Sequence, residues 1–314
     1  MLIANPIYDS VFKFLLEDLS VAKRFLSRIL LEEIESLEIK PQEQTATSKK
    51  HLLTVYRLDF RAVIKTLISA EEKDAAGKVI KPAVYTYKKV LIELQKGKKL
   101  VDVLRFRRYL GDNYSKPDYI DGEKVALPIM TIYFLGFELS EQKPILRIMR
   151  SYRNGKGELL SVKDDFIERL THDCIVVQIR LLLGDTQDAL EKLLSVFNQK
   201  WIVSEDKKWI LRYPEEDIEN IADEDLKAVI KRLFFACQDE DVQKDIETEE
   251  NFDESLDDAL RAKDVVIWEK EKALENKSKE LENKDKELEK IKKETAERDA
   301  YILALEERLK KNDS

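Results

Sequence analysis

The chain has 314 residues, of which 43% are hydrophobic and 38% are charged, so it can build at least one apolar core. Its two cysteines, Cys174 and Cys237, are far apart and have no histidine beside them, which argues against a disulfide framework and against a zinc site. There is no signal-peptide pattern and no run of roughly 18 apolar residues, so we expect a cytoplasmic protein without a membrane span.

The net charge of −8 hides an uneven distribution along the chain. Residues 1–160 carry 28 Lys and Arg against 21 Asp and Glu, whereas residues 161–314 carry 27 against 42. The first half is therefore basic enough to meet phosphate groups, and the acidic second half is not.

The first half of the chain contains five predicted elements. Residues 6–30 repeat apolar side chains at helical spacing and predict one helix. Residues 52–68 and 84–95 are rich in β-branched and aromatic residues and predict two strands, joined by a polar hairpin connection. Residues 100–115 predict a second helix, and the almost wholly apolar residues 126–137 predict a strand that is buried on both faces. This order is typical of an α/β fold with a sheet covered by helices.

The second half is predicted to be mostly helical. The apolar residues 174–183 fit either a strand or a buried helix, because periodicity does not separate the two. Residues 186–199 and 223–237 predict helices.

From about residue 256 the sequence becomes a long, charged helix with a seven-residue repeat. The second core position of the repeat is mostly lysine, so the pattern indicates either a weak coiled coil that joins copies of the chain or a lone helix held by Glu–Lys pairs. The residues at the repeat are Leu260, Ile267, Leu274, Leu281, Leu288, Thr295, Ile302 and Leu309.

Two acidic residues on the predicted strands form a candidate metal site. Strand alternation directs Glu93 and Gln95 to one face, and it directs Asp59 away from the apolar Leu58 and Phe60. If the two strands are neighbours, Asp59 and Glu93 converge, and a divalent cation would relieve their repulsion and assist attack on a phosphodiester. The alternative for Asp59 is an exposed carboxylate paired with a neighbouring arginine. Oxygen ligands favour Mg²⁺, with Mn²⁺ as the other choice.

Five sequence runs in this order resemble the PD-(D/E)XK nuclease family transposases, also called recombination-promoting nucleases. The runs are NPIYDSVFKFL from Asn5, YRLDF from Tyr56, VLIELQK from Val90, RFRRY from Arg105 and LPIMTIYFLG from Leu127. The resemblance implies a restriction-endonuclease-like core, a mixed sheet flanked by helices, over residues 1–150. It further implies a mostly helical continuation over residues 151–250 and an acidic coiled-coil helix over residues 251–314.

The resemblance also implies roles for particular residues. Asp59 and Glu93 match the two metal-binding acids, and Asp9 matches an early acidic position that adds a metal contact or, alternatively, serves the start of its helix. Gln95 stands where the wider superfamily has a catalytic lysine. The residues implied or favoured for nucleic-acid contact are Lys13, Lys96, Lys98, Arg105, Arg108 and Tyr109.

These expectations lead to two hypotheses about function. One is a Mg²⁺-dependent DNA endonuclease that works in transposition-like recombination or in defence against foreign DNA. The other is a catalytically weak or inactive nuclease fold that binds nucleic acid and oligomerises, which the uncharged Gln95 favours because an amide cannot supply the positive charge of lysine. A purely structural coiled-coil scaffold explains only the tail and leaves Asp59 and Glu93 without a role.

Overall fold

The computed structural model describes residues 1–43, 58–70, 72–73, 79–97, 100–184 and 186–312. Within these ranges, the side chains of Asp59 and Arg105 are among those that lie outside the described part. The chain divides into two compact units, Met1–Glu250 and Asn251–Ser314.

The described residues form fourteen strands and seven α-helices, besides short 3₁₀ turns. The strands are β1 (Leu2–Ala4), β2 (Ile34–Glu43), β3 (Leu58–Ser69), β4 (Glu72–Lys73), β5 (Val79–Lys81), β6 (Val84–Gln95), β7 (Asp118–Ile120), β8 (Glu123–Val125), β9 (Ile129–Leu135), β10 (Ile145–Ile148), β11 (Tyr152–Arg153), β12 (Leu159–Leu160), β13 (His172–Gln178) and β14 (Ile210–Arg212). The helices are α1 (Asp9–Glu17), α2 (Leu19–Leu30), α3 (Leu100–Ser115), α4 (Asp165–Leu170), α5 (Ala189–Leu194), α6 (Glu224–Ala236) and α7 (Glu240–Asn312).

A six-stranded mixed sheet forms the centre of the first unit, with strand order β10-β13-β9-β6-β3-β2. The pairs β6–β9 and β9–β13 are parallel, and the other pairs are antiparallel. Helices cover the sheet, so the predicted α/β class with a mixed sheet and flanking helices is confirmed. The two predicted strands that carry the candidate acids are neighbours, as β3 and β6.

The sheet has one strongly apolar face, against which α1 and α2 pack, and α6 packs on these two helices and on β1. The ring of Phe12 on α1 lies 5.0 Å from that of Phe60 and 5.6 Å from that of Phe134, between ring centroids. Each fully buried side chain of this kind contributes about 1.5–3 kcal/mol relative to an exposed one. A smaller apolar cluster lies on the α3 side of the sheet and contains Leu91, Phe106, Tyr109 and Ile129.

The predicted single helix over residues 6–30 is wrong, because the helix is interrupted at Asp18. The backbone of Asp18 is extended, with φ −77° and ψ 100°, and its side chain accepts hydrogen bonds from the N–H groups of Ser20 and Val21. Asp18 is thus the N-cap of a second helix, a role that aspartate fills well. The break also leaves Leu19, expected in the apolar stripe, 53% exposed.

Residues 151–250 are not mostly helical at their start. The ambiguous segment at residues 174–183 contains most of the strand β13, which pairs with β9 and β10 inside the central sheet, and a 3₁₀ turn at Ile179–Leu181. The helix predicted at residues 186–199 is shorter, because α5 covers Ala189–Leu194 and 3₁₀ turns follow it.

The tail helix begins earlier than the heptad pattern indicates. α7 runs over 73 residues from Glu240, and the side chain of Asp239 accepts hydrogen bonds from the N–H groups of Asp241 and Val242 at its start. Its first turns belong to the first compact unit, where Val242 and Ile246 are buried.

Candidate active site

Glu93 and Gln95 lie at the carboxyl end of β6, on the side of the sheet that faces α3. Their strand neighbour Leu91 packs in the α3-side cluster, whereas Ile92 and Leu94 belong to the large core on the other face. The alternation read from the sequence therefore holds along this strand. Glu93 is only 1% exposed. Burying a carboxylate in an apolar strand is costly unless the group has polar or charged partners. Glu93 is therefore not an ordinary surface carboxylate.

The parallel neighbour β9 supplies Tyr133, which pairs in register with Glu93. Burial raises the pKa of Tyr133 to about 12, and the negative charge of Glu93 adds to the shift. The phenol is therefore neutral at physiological pH and keeps its hydrogen for donation.

The two parallel strands end close together just beyond these residues. A Cβ placed on Gly136 would lie 2.6 Å from the carbonyl oxygen of Lys96, so only glycine fits there without a shift. The N–H of Gly136 donates to the carbonyl oxygen of Gln95 at 2.8 Å. The carboxyl ends of neighbouring parallel strands are where open α/β sheets bind ligands.

The paired register of β3 and β6 ends one residue short of Asp59 and Glu93. The last paired residues of β3 and β6 at this end are Phe60 and Ile92, so one further step in the antiparallel register sets Asp59 opposite Glu93. Directly opposite positions in an antiparallel pair have Cβ atoms about 4.5–5.5 Å apart. The convergence of Asp59 and Glu93 stays a prediction, because the paired register ends one residue before them and the Asp59 side chain lies outside the described part.

Gln95 carries an unsatisfied buried donor. Its side-chain Nε2 is buried, and it has no hydrogen-bond partner among the residues that the structure describes. Leaving such a donor unpaired costs about 1–3 kcal/mol, and unsatisfied buried groups in native proteins are frequent at functional positions or at sites of ordered water.

A buried charged cluster on the same face was not anticipated from the sequence. The Asp118 carboxylate accepts from the Arg61 guanidinium at 2.5 Å and pairs with the Lys89 ammonium at 2.9 Å. Lys89 also donates to the carbonyl oxygen of Asn113 at 3.0 Å. The alternation Lys89, Leu91, Glu93 contained a signal for this cluster, because it put a lysine in the middle of a strand on the face of Glu93.

Lys96 does not lie beside Glu93. It is on the opposite face, where its ammonium pairs with Glu249 at 2.7 Å and stands 4.5 Å from the ring centroid of Tyr8. Lys96 therefore cannot substitute for the lysine that Gln95 replaces without breaking the contact with Glu249.

The other predicted nucleic-acid contacts are scattered. Lys13 lines a groove of about 240 Å³ with Leu16, Ile39 and Phe60 on the α1 side of the sheet, so the structure does not bring it to Glu93. Lys98 and the side chain of Arg105 lie outside the described residues.

Helix α3 presents Arg108 to solvent and turns Tyr109 inward. Arg107 and Arg108 are exposed, and Tyr109 is 1% exposed within the α3-side cluster, where its ring lies 6.0 Å from that of Phe106. The predicted contact of Tyr109 with nucleic acid does not fit this burial, because helical periodicity directs its ring into the core.

Asp9 is the first residue of α1, which approaches the carboxyl end of β6 from the apolar side of the sheet. The Glu249 carboxylate accepts from the N–H of Asp9 at 3.0 Å and from the N–H and hydroxyl of Ser10 at 3.2 and 2.7 Å. Asp9 is thus at the same end of the sheet as Glu93 but belongs to a helix on the other face. The carboxylate of Glu249 accepts the hydrogen bond of its backbone N–H.

The donor set suits a hard cation. Among the side chains that the structure describes, no three of His, Cys, Asp and Glu converge as a metal site. That part of the chain does not include the Asp59 side chain. Two carboxylates with a neighbouring amide are oxygen donors of the kind that Mg²⁺ prefers.

Comparison with protein-family models, with curated proteins and with solved structures finds no match to this chain. No helix in the described ranges has both the length and the apolar character needed to cross a bilayer.

Proposed function

We propose that the chain is a metal-dependent phosphodiesterase whose site is at the carboxyl end of β6. The observation that carries the proposal is the pair on this strand end, a buried Glu93 and a Gln95 whose buried amide nitrogen has no partner among the described residues. The unpaired amide nitrogen of Gln95 bears a free-energy cost that an active site would explain, and it lies on the same face of the strand as the buried acid Glu93.

Within this class, we propose a DNA endonuclease of the PD-(D/E)XK type that acts in transposition-like recombination or in defence. Support comes from the sequence resemblance, from the pairing of β3 with β6, which would set Asp59 opposite Glu93 if it continued one residue further, and from the basic first half of the chain. Exposed Arg107 and Arg108 on α3 would bind the phosphate backbone.

Glu93 and Asp59 would hold the Mg²⁺. When bound, the cation would neutralise phosphate charge and acidify a water molecule. The Gln95 amide would donate a hydrogen bond to a phosphate oxygen, and the neutral Tyr133 phenol would hold a second donor beside Glu93. Because the amide carries no charge, we expect cleavage to be slower than with a lysine at this position.

The test is cleavage of supercoiled plasmid by the purified full-length protein with Mg²⁺ or Mn²⁺. Glu93→Gln keeps the size of the buried side chain and removes its charge, and Glu123→Gln makes the same change at an exposed position on β8. We expect the wild type and Glu123→Gln to nick or linearise the plasmid, and Glu93→Gln to lose about 100-fold or more of the rate. EDTA should abolish cleavage in all three proteins.

A second candidate function is a nucleic-acid-binding module that does not cut. The uncharged Gln95, together with the engagement of Lys96 by Glu249, favours it. Plasmid binding without cleavage by the wild type, unchanged in Glu93→Gln, would support this module and exclude the endonuclease. Gln95→Lys would then show whether the missing positive charge is the reason that the wild type does not cleave. Cleavage gained by this single change would identify the end of β6 as the active site.

We also propose that the tail helix joins copies of the chain. The exposed apolar residues of its repeat support association, and light scattering on the full chain and on a form truncated near residue 255 would measure it.

A further inference from the structure

The segment of residues 148–170, which contains β11, β12 and α4, exposes a large amount of apolar surface. Six of its large apolar side chains are 55–78% exposed. Single exposed leucines are normal on a protein surface, but six such residues in one short segment are not scattered singly. The six are Ile148, Met149, Leu159, Val162, Phe166 and Leu170.

Helix α4 presents its apolar side to solvent and its polar side to the protein. Phe166 and Leu170 are four residues apart and share one side of the helix, whereas Glu168 lies two residues from each, on the opposite side. Glu168 points inward, because its carboxylate accepts from the Tyr152 hydroxyl at 2.9 Å and pairs with the Arg150 guanidinium at 2.8 Å. A surface helix of a monomer normally has its apolar side against the core, so the orientation of α4 is reversed.

Polar contacts hold the segment in this orientation. The Tyr152 hydroxyl on β11 also donates to the carbonyl oxygen of Asp164 at 3.3 Å, and Arg150 pairs with Asp173 on β13 at 2.8 Å. The segment is therefore attached to the central sheet through its polar groups, and its apolar side chains stay exposed.

The exposed apolar area is close to that of a dimer interface. A fully exposed large apolar residue offers about 200 Å², so the six exposed fractions amount to roughly 750 Å². The largest apolar patch on a typical monomer covers about 300–600 Å², and a stable interface buries about 800 Å² on each partner. The six side chains by themselves supply most of the area that one partner needs.

The charge of the segment indicates which occupant fits. Residues 148–170 carry five Lys and Arg against four Asp and Glu. A surface that meets nucleic acid or an anionic membrane needs an excess of Lys and Arg, which this segment does not have. A surface that meets its own copy must avoid a large charge of one sign, because like charges would then face each other. The nearly neutral segment satisfies that condition.

We propose that residues 148–170 form an interface between two copies of the chain. In a symmetric pair both copies use the same surface, so the exposed side of one α4 packs on the 148–170 segment of the other copy. The interface belongs to the first compact unit and includes none of the heptad residues of α7, so it is separate from the association proposed for the tail. It does not depend on the proposed nuclease activity, because its measurement is contact between copies and not cleavage.

The first experiment locates the contact, because the tail helix is also proposed to join copies. Full-length protein with benzoylphenylalanine in place of Phe166 is prepared in an isotopically heavy form and a light form, and the two forms are mixed and irradiated. We expect cross-linked peptides that join a heavy copy to a light copy, with both peptides from the 148–170 segment. The same photoreactive residue in place of Phe235, which is 48% exposed on α6, is the control and should give no such product.

Other results of the irradiation would overturn the proposal. These are cross-links from position 166 to its own chain only, cross-links to a different surface of the second copy, and the absence of any cross-link.

The second experiment measures how much the interface contributes to association. Phe166→Glu and Leu170→Glu in one variant place charges in the apolar contact, and neither side chain is buried in a single copy. We expect the dissociation constant of the full-length protein, measured by sedimentation over a range of concentrations, to rise about tenfold or more while the melting temperature stays unchanged.

The matched control is Phe235→Glu with Leu183→Glu, which changes a phenylalanine and a leucine of similar exposure outside the segment. It should leave the dissociation constant unchanged. Equal dissociation constants for the wild type and the Phe166 and Leu170 variant, or a wild type that is monomeric at every concentration, would contradict the proposal.

Discussion

The buried carboxylate of Asp118 makes a quantitative prediction about what stabilises the α3 side of the sheet. Asp118 is 3% exposed and is the partner of two cations, Arg61 at 2.5 Å and Lys89 at 2.9 Å. The side chain of Lys89 is 2% exposed, so its ammonium would have little access to water if the carboxylate were removed. Replacing Asp118 with alanine therefore leaves a buried charge without its counterion.

Removing one partner of a buried ion pair typically costs about 3–5 kcal/mol, and no reduction for solvent screening applies to Asp118 and Lys89 because both are buried. We expect Asp118→Ala to lower the free energy of unfolding by that amount. Asp118→Asn should cost less, because the amide can still accept one hydrogen bond. The assay is guanidinium unfolding followed by tryptophan fluorescence, with Asp112→Ala on the exposed side of α3 as the control that should change little.

The pH dependence of the variant gives a second test of the same reasoning. Burial already lowers the pKa of Lys89, and the nearby Asp118 charge opposes that shift. Without Asp118 the pKa falls further, so the unfolded state binds more protons than the folded state below the ordinary lysine pKa, and stability rises with pH. Asp118→Ala should therefore recover stability relative to the wild type as the pH rises toward the ordinary lysine pKa of about 10.4. A loss below about 1 kcal/mol at neutral pH, with no such recovery, would refute this account.

Three further predictions concern other parts of the first unit and are measured by chemical unfolding. Glu249→Ala should lower the free energy of unfolding by about 2 kcal/mol, because this carboxylate accepts hydrogen bonds from two N–H groups at the start of α1 and pairs with Lys96. The control Glu247→Ala, on the exposed side of α7, should change it by less than about 0.5 kcal/mol. Equal effects of the two variants would contradict this prediction. Burial and a nearby arginine lower the pKa of His172, so the unfolded state protonates first and the wild type should lose stability as the pH falls through about 6.5, a loss that His172→Gln should reduce. An unchanged pH profile would remove His172 from that role. Gly136→Ala should cost about 1–3 kcal/mol, because its Cβ would meet a backbone carbonyl at 2.6 Å, and a neutral result would mean that the strand ends relax freely.

Local sequence patterns predicted the elements in which the helical or strand periodicity is uninterrupted. The strand at residues 84–95 and the helix at residues 100–115 have the predicted bounds, as β6 and α3. The strand β2 was missed, because a register shift between Ile34 and Ser36 interrupts the two-residue alternation that would have identified it. The strand β13 was ambiguous, because it lies between β9 and β10 and is buried on both faces, which removes the alternation altogether.

Some features of the candidate site could be predicted from local sequence, and others depend on contacts between distant residues. Alternation within one strand was enough to place Glu93 and Gln95 on one face. Alternation could mark Lys89 as a lysine on the face of Glu93, but its partner Asp118 is far away in sequence and no local pattern identifies it. The contact of Glu249 with the start of α1 also joins residues that are far apart in sequence, and it has no local signal.

The distribution of charge over the two faces of the sheet explains why a site would form where it does. The α1 and α2 face is filled by aromatic and aliphatic side chains, and a charge introduced there would displace close-packed groups. The α3 face already contains Arg61, Lys89 and Asp118, whose mutual pairing maintains a polar environment inside the fold. Glu93 lies on this face as well, where a buried carboxylate is less costly than inside the apolar core because polar groups can compensate its desolvation. The same face therefore holds both the structural ion pairs and the acid on which the proposed chemistry depends. A variant that disturbs Asp118 should change the surroundings of Glu93 more than a variant that enlarges the core on the opposite face.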